Sequence, residues 1–267
     1  MNAPVHKIKK IIRVHPCPSV VPILAALLLT ATAAAQNTSD VYKSADRPRA
    51  LALIGDRYHS PVYIRDNLIP AFVRENIPVT FIENHEALTA EALKNYDLLV
   101  FLKDGMIWPN GYERNSQVLW MTEAQQQAIW DFVHNGGAFL ALHNSHGIYP
   151  EGGLYYKLFG GNYGGHPPPE TFTIRIENKN HPITQGVEDF ETFDEQHLSK
   201  YDLDREHLLM RNISKANVSA PAGWWRELGK GRFVYLAPGH TPEALGHPMM
   251  QRLIRNSMRW LLGLDEK

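Results

Sequence analysis

Apolar positions along this chain follow two rhythms that alternate in order. Unbroken apolar runs at Ala50–Ile54, Val79–Ile82, 97–102 and Ala138–Leu142 are short and end in polar or turn residues, which predicts buried strands. Between them, Val62, Ile64, Leu68, Ala71 and Phe72 recur at helical spacing over 62–75, with Pro70 as the one blemish. A short helix is expected over 89–95. A longer one over 122–134 is capped by Thr122 and stopped by Gly136 and Gly137. This order predicts an α/β fold with a mainly parallel sheet and helices on both faces. Residues 103–121, with Trp108 and Trp120, read as a loop longer than compact domains usually hold.

The second half is less regular. A helix over 151–159 closed by Gly160 and Gly161, an alternating strand over 171–177, a strand-turn-strand unit over 224–236 and an amphipathic helix over 248–262 are expected. Trp224 and Trp225 on that unit read as packing residues rather than as a sugar platform. No repeat, low-complexity segment or long linker interrupts residues 49–264, which are expected to form a single domain.

Polar chemistry gathers where strands give way to loops. The stretch GGAFLALHNSHG ends its apolar run on His143, Asn144, Ser145 and His146. Similar clusters stand at Asp56-Arg57-Tyr58-His59, at Asp194-Glu195-Gln196-His197 and at His240-Thr241-Pro242-Glu243. Taken singly, each has an ordinary explanation as polar loop residues facing solvent. Together they point to a site, because open α/β sheets bind ligands beyond the carboxyl ends of their strands. His143-x-x-His146 has ligand-like spacing, and imidazole with carboxylate suits a zinc shell. The glycine-rich stretch 160–166 follows a helix instead of opening one. It reads as a loop whose backbone comes close to something, with His166 at its exit.

Composition changes the picture at the amino end. Lys7, Lys9, Lys10 and Arg13 precede an uncharged apolar stretch over 20–35 that closes on three alanines, the pattern of a signal peptide over residues 1–35. The stretch falls short of the ~20 apolar residues a spanning helix needs, so no stable membrane insertion is expected after cleavage. A periplasmic or secreted protein is expected, with a flexible lead-in over 36–48. Losing the four Lys/Arg of the leader takes the net charge from −1 to −5, with no basic cluster elsewhere, so nucleic acid is not an expected partner. The leader also holds Cys17, the single cysteine, so the mature chain has no thiol nucleophile. P-loop, GxGxxG and GxSxG motifs are absent.

The motifs GGAFLALHNS, LFGGNYGGHP, NHPITQGVEDFETFDEQHL, GWWRELGKGRFVYLAPGH and IRNSMRWLLG resemble, in order and register from about Ala50 to Gly263, the ThuA-like (trehalose-utilisation) family. The resemblance implies a flavodoxin-like three-layer sandwich of the class I glutamine-amidotransferase type. In amidotransferases of that fold the turn after such a strand carries a nucleophilic cysteine. Here His143 stands at that position and His240-Thr241-Pro242-Glu243 resembles the end of the triad, so glutaminase chemistry is expected to be lost. The family pattern Asp-Glu-Leu-Tyr reads Asp194-Glu195-Gln196-His197, matching Glu195 and departing at the aromatic position.

Two readings stand at this point. In the first, an exported enzyme acts on a carbohydrate or sugar derivative as a hydrolase or lyase, with His143, Glu195 and His240 as catalytic groups and His59, Asn144 and His166 contacting substrate. His143, His166, Glu195 and His240 then hold a divalent metal such as zinc, or work as acid and base. In the second, the pocket binds a small carbohydrate ligand without catalysis. The count of ionisable groups favours the first.

Overall fold

The computed structural model describes residues 47–113 and 115–265. The predicted leader with Cys17, and the lead-in up to residue 46, lie outside the described residues. In chain order the elements are β1 (Ala50–Ile54), α1 (Pro61–Arg74), β2 (Val79–Ile82), α2 (Ala90–Leu93), β3 (Leu98–Leu102), β4 (Met106–Ile107), β5 (Val118–Leu119), α3 (Glu123–His134) and β6 (Ala138–Leu142). There follow α4 (Leu154–Phe159), β7 (Gly161–Asn162), β8 (Glu170–Ile176), β9 (Phe190–Asp194), β10 (Lys200–Tyr201), β11 (Leu208–Ile213), β12 (Ser219–Leu228), β13 (Gly231–Leu236), α5 (Pro242–Gly246) and α6 (Pro248–Leu261).

Nine strands make one sheet in the order β2-β1-β3-β6-β13-β12-β11-β8-β9. The first five run parallel, and the other four extend the sheet antiparallel. The parallel core is built from the unbroken apolar runs: every residue of β1, β3 and β6 is buried. A fully buried Leu, Val, Ile or Phe contributes about 1.5–3 kcal/mol each, which makes these short strands the centre of the core. Helices α1, α5 and α6 pack on one another, while α2 and α4 both pack on α3. Both α3 and α6 reach β6 and β13, so the two sets cover opposite faces of the sheet.

Local signals set the helix ends. Thr122 and Gln125 form a reciprocal capping box on α3, and Gly160 closes α4 in a left-handed conformation (φ 66°). Helix α4 begins at Leu154, three residues later than the apolar spacing predicts. The segment 103–121 is more ordered than a plain loop, because β4 and β5 pair within it. Strands β9 and β11 were not predicted. The unbroken apolar run that announces a core strand is missing from FETFD and LLMRNI. Among the described residues no helix is long and apolar enough to cross a membrane.

The antiparallel half does not lie flat. Four strand spacings separate β9 from β13, roughly 19 Å in a flat sheet. Yet Gly239 N, just past β13, donates to Asp194 Oδ2 at the end of β9 over 2.8 Å. The sheet therefore curls back until its last strand meets the carboxyl edge of its parallel core.

Candidate functional site

Because β1, β3, β6 and β13 run parallel, their carboxyl ends open on one edge. There β1 delivers Asp56 and His59, β3 delivers Lys103 and Asp104, β6 delivers His143 and Asn144, and β13 delivers His240. The curled-back β9 brings Asp194, Glu195 and His197 to the same place.

His143 is fully buried and takes a left-handed backbone (φ 49°), uncommon for a residue with a side chain. The tight turn is held by Tyr235 Oη–H donating to His143 O (2.8 Å) and by the missing side chain of Gly239, whose Cβ would stand 3.1 Å from His143 Cβ. His143 Nδ1 lies 2.9 Å from Ala237 O. A carbonyl only accepts, so Nδ1 carries the proton and Nε2 faces the site, buried and without a hydrogen-bond partner.

His59 is oriented the same way. Its Nδ1 lies 2.8 Å from Asp56 Oδ1. Burial is the largest single influence and works against the Asp56 charge, but the hydrogen bonds from His59, Asn144 and Tyr58 N together outweigh it and hold the carboxyl down at about 2. Asp56 is thus an ionised acceptor, also receiving Tyr58 N, His59 N, Asp104 N and Asn144 Nδ2. His59 Nε2 is left to face His240 Nδ1 at 3.0 Å.

Glu195 Oε2 completes the centre, 3.3 Å from His240 Nδ1 and 3.6 Å from His143 Nε2. Ligand atoms of His59, His143, Glu195 and His240 all lie within 4.8 Å of one another. Burial disfavours the Glu195 charge, yet the imidazoles of His143, His197 and His240 around it hold the carboxyl well below the usual range. Burial pushes His240 down to about 4. The four groups therefore present three lone-pair acceptors around at most one N–H, that of His240. A proton shared among them satisfies one acceptor at a time, whereas a divalent cation satisfies all four. Ligand bonds of about 2.1 Å give tetrahedral edges of about 3.4 Å, close to the separations observed.

Residues beyond the four complete the surroundings. Asp194, fully buried, accepts from Gly239 N (2.8 Å) and Thr241 N (3.1 Å), pinning the backbone on either side of His240. His197 stacks on His143, ring centroids 4.1 Å apart. His166 is exposed at the mouth. Its Nδ1 donates to Pro167 O (2.8 Å) and its Nε2 lies 3.5 Å from Glu195 Oε2, beside the group of four and outside it. Glycine puts it there. A Cβ on Gly164 would stand 2.2 Å from Leu198 O, and Leu198 N donates to Gly165 O, so the glycine-rich loop lies flat on the segment after Glu195.

The residues expected from the sequence to form the site thus meet: His143, Glu195 and His240 at the centre, with His59, Asn144 and His166 around them. The four-atom group takes His59 where the sequence reading places His166. His146 faces away, 3.0 Å from Ser199 Oγ, so the ligand-like spacing of His143 and His146 makes no pair. Glu243 is exposed at the start of α5, and the carboxylate beside His240 is Glu195. Asp56, Asp194 and His197 were visible only as members of polar runs. Nothing in the sequence singled out Asp104 or Tyr235.

A family described as trehalose utilisation matches residues 36–261. A ThuA-like protein from Bacteroides uniformis superimposes with a TM-score of 0.60 at 18% identity, over 81% of this chain and 92% of that one. One from Parabacteroides merdae gives 0.65 at 14% identity, over 81% and 90%. A β-galactosidase from Bacillus circulans sp. alkalophilus shares the fold over 80% of this chain and 31% of its own, with a TM-score of 0.54 at 13% identity. A search of the curated proteins returns no significant match.

Proposed function

The chain belongs to the trehalose-utilisation (ThuA) family, and on that premise we propose an exported enzyme, a hydrolase or lyase acting on a carbohydrate or sugar derivative. In this reading His59, His143, His240 and Glu195 hold a divalent metal such as zinc. The observation that carries it is the buried, unpartnered His143 Nε2 aimed at a carboxylate and two further imidazoles.

Bound there, a divalent cation supplies Lewis acidity toward a sugar oxygen. The chain's own groups do the rest. Asp56 and Ala237 O keep the Nδ1 protons on His59 and His143, so that each presents Nε2 to the centre. Asn144 steadies Asp56, and Asp194 fixes the backbone that carries His240. His166, with Nε2 at the mouth and Nδ1 anchored on Pro167 O, is placed to take a proton from the substrate or return one. The turn that holds a cysteine in amidotransferases of this fold holds His143, so no thioester forms and no glutaminase activity is expected.

Elemental analysis of the purified mature protein is expected to find about one divalent ion per chain, lost in His59→Ala and His143→Ala. Turnover across a panel of glycosides and oxidised sugars should follow metal content and be absent with glutamine. Metal-free protein with full activity would overturn the metal centre, and sugar binding with no turnover at any metal loading would overturn the enzyme reading.

A further inference from the structure

Immediately before His59, the loop after β1 carries Arg57 and Tyr58. Both are exposed, Tyr58 at 53%. The Arg57 guanidinium lies 4.2 Å from the ring centre of Tyr112, 4.9 Å from that of Trp108 and 5.6 Å from that of Tyr58. Trp108 and Tyr112 come from the paired segment 103–121, and Tyr112 is itself 67% exposed. Among the described residues Arg57 forms no ion pair, so its charge is balanced only by ring faces.

This cluster is continuous with the His/Glu centre. Ring centroids step from Tyr112 to Trp108 (6.0 Å), Trp108 to Tyr58 (5.7 Å), Tyr58 to His59 (6.4 Å) and His59 to His240 (4.9 Å). Its footing is fixed. Asp56 accepts from Tyr58 N, His59 N and Asp104 N. Lys103 Nζ donates to Gly55 O (2.6 Å), and Trp120 Nε1 donates to Asp104 O (2.7 Å). Two loops that have no pairing in the sheet are thereby tied to each other at the base, with the aromatic rings and one guanidinium standing above.

We propose that Arg57, Tyr58, Trp108 and Tyr112 form a subsite for an acidic sugar, the rings stacking on the pyranose and Arg57 pairing with its carboxylate or phosphate. Sugar rings have apolar faces that pack on aromatic planes. A guanidinium whose charge is met only by ring faces keeps N–H groups for a planar or tetrahedral anion. An unpaired Arg on a chain of net negative charge is placed for an anion that the substrate brings. The subsite lies one ring away from His59, so a sugar held there presents its neighbouring bonds to the centre. This inference rests on the carbohydrate reading and adds the charge of the substrate to it.

Matched ligands test it: glucose, glucuronate and glucose 6-phosphate, titrated by calorimetry into the metal-loaded wild type, Arg57→Gln and Arg57→Lys. At least one acidic sugar is expected to bind the wild type roughly tenfold or more tighter than glucose, the effect of one charge-assisted hydrogen bond or more. The two acids separate carboxylate from phosphate as the source of the charge. Arg57→Gln should erase the preference and leave glucose binding and metal content unchanged. Arg57→Lys should keep only part of it, because an ammonium lacks the planar fork. Trp108→Ala should weaken acidic and neutral sugars alike. Equal binding of glucose and both acids to the wild type, or an acid preference that survives in Arg57→Gln, overturns the subsite while the carbohydrate reading stands. Binding of none of the three overturns both.

Discussion

Asp104 sits buried at the end of β3, accepting from Met106 N and facing two charged groups, Asp56 and Lys103. Burial first, and then the charge of Asp56, raise its carboxyl from 3.8 to about 7. A folded-state value above the unfolded one means that protonation favours the fold. The contribution is fully present below about pH 3.8 and is lost as pH rises through about 7. Asp104→Asn fixes the neutral form, so the variant should gain on the wild type between pH 5 and pH 8 in urea denaturation. A stability difference that does not change with pH would show that Asp104 is not strained by its charge. At this scale the sequence was legible where chemistry stood out against an apolar run, as at His143. It was illegible at Asp104, because one acid after a strand looks like any surface acid until the fold buries it.

At the scale of elements, the parallel half of the sheet was readable because continuous apolar runs with polar stops occur in strands covered on both faces. The antiparallel half was harder: β12 begins in SAPAG, a composition that reads as loop, and β9 alternates too briefly to stand out. That half supplies Glu195, so the carboxylate of the site was identified through family resemblance and not through strand pattern. The glycine-rich loop gives the element-scale prediction. Gly164→Ala would place a methyl 2.2 Å from Leu198 O, forcing the loop off the segment behind Glu195. Stability should fall by about 1–3 kcal/mol, the usual range for overpacking. His166 should lose its position, seen as reduced turnover with metal content retained. Normal stability and turnover in Gly164→Ala would mean the loop relaxes without consequence.

For the whole molecule, the proposed leader makes a prediction that no folded element touches. Mass spectrometry of protein from the envelope or medium should find a chain beginning after about Ala35, without Cys17. An intact amino end would contradict export. The order of the site residues along the chain has a different consequence. His59 and His240 lie 181 residues apart, yet their ring nitrogens approach to 3.0 Å, and β9 must curl across the sheet before Glu195 joins them. No fragment of the chain can assemble this centre, since it draws on the first strand, the parallel core, the far edge and the last loop. A ligand bound there clasps the ends of the fold together and adds to stability only once every layer is in place. Occupancy of the centre is thereby a report on complete folding, and a molecule that opens at any one layer releases what it holds.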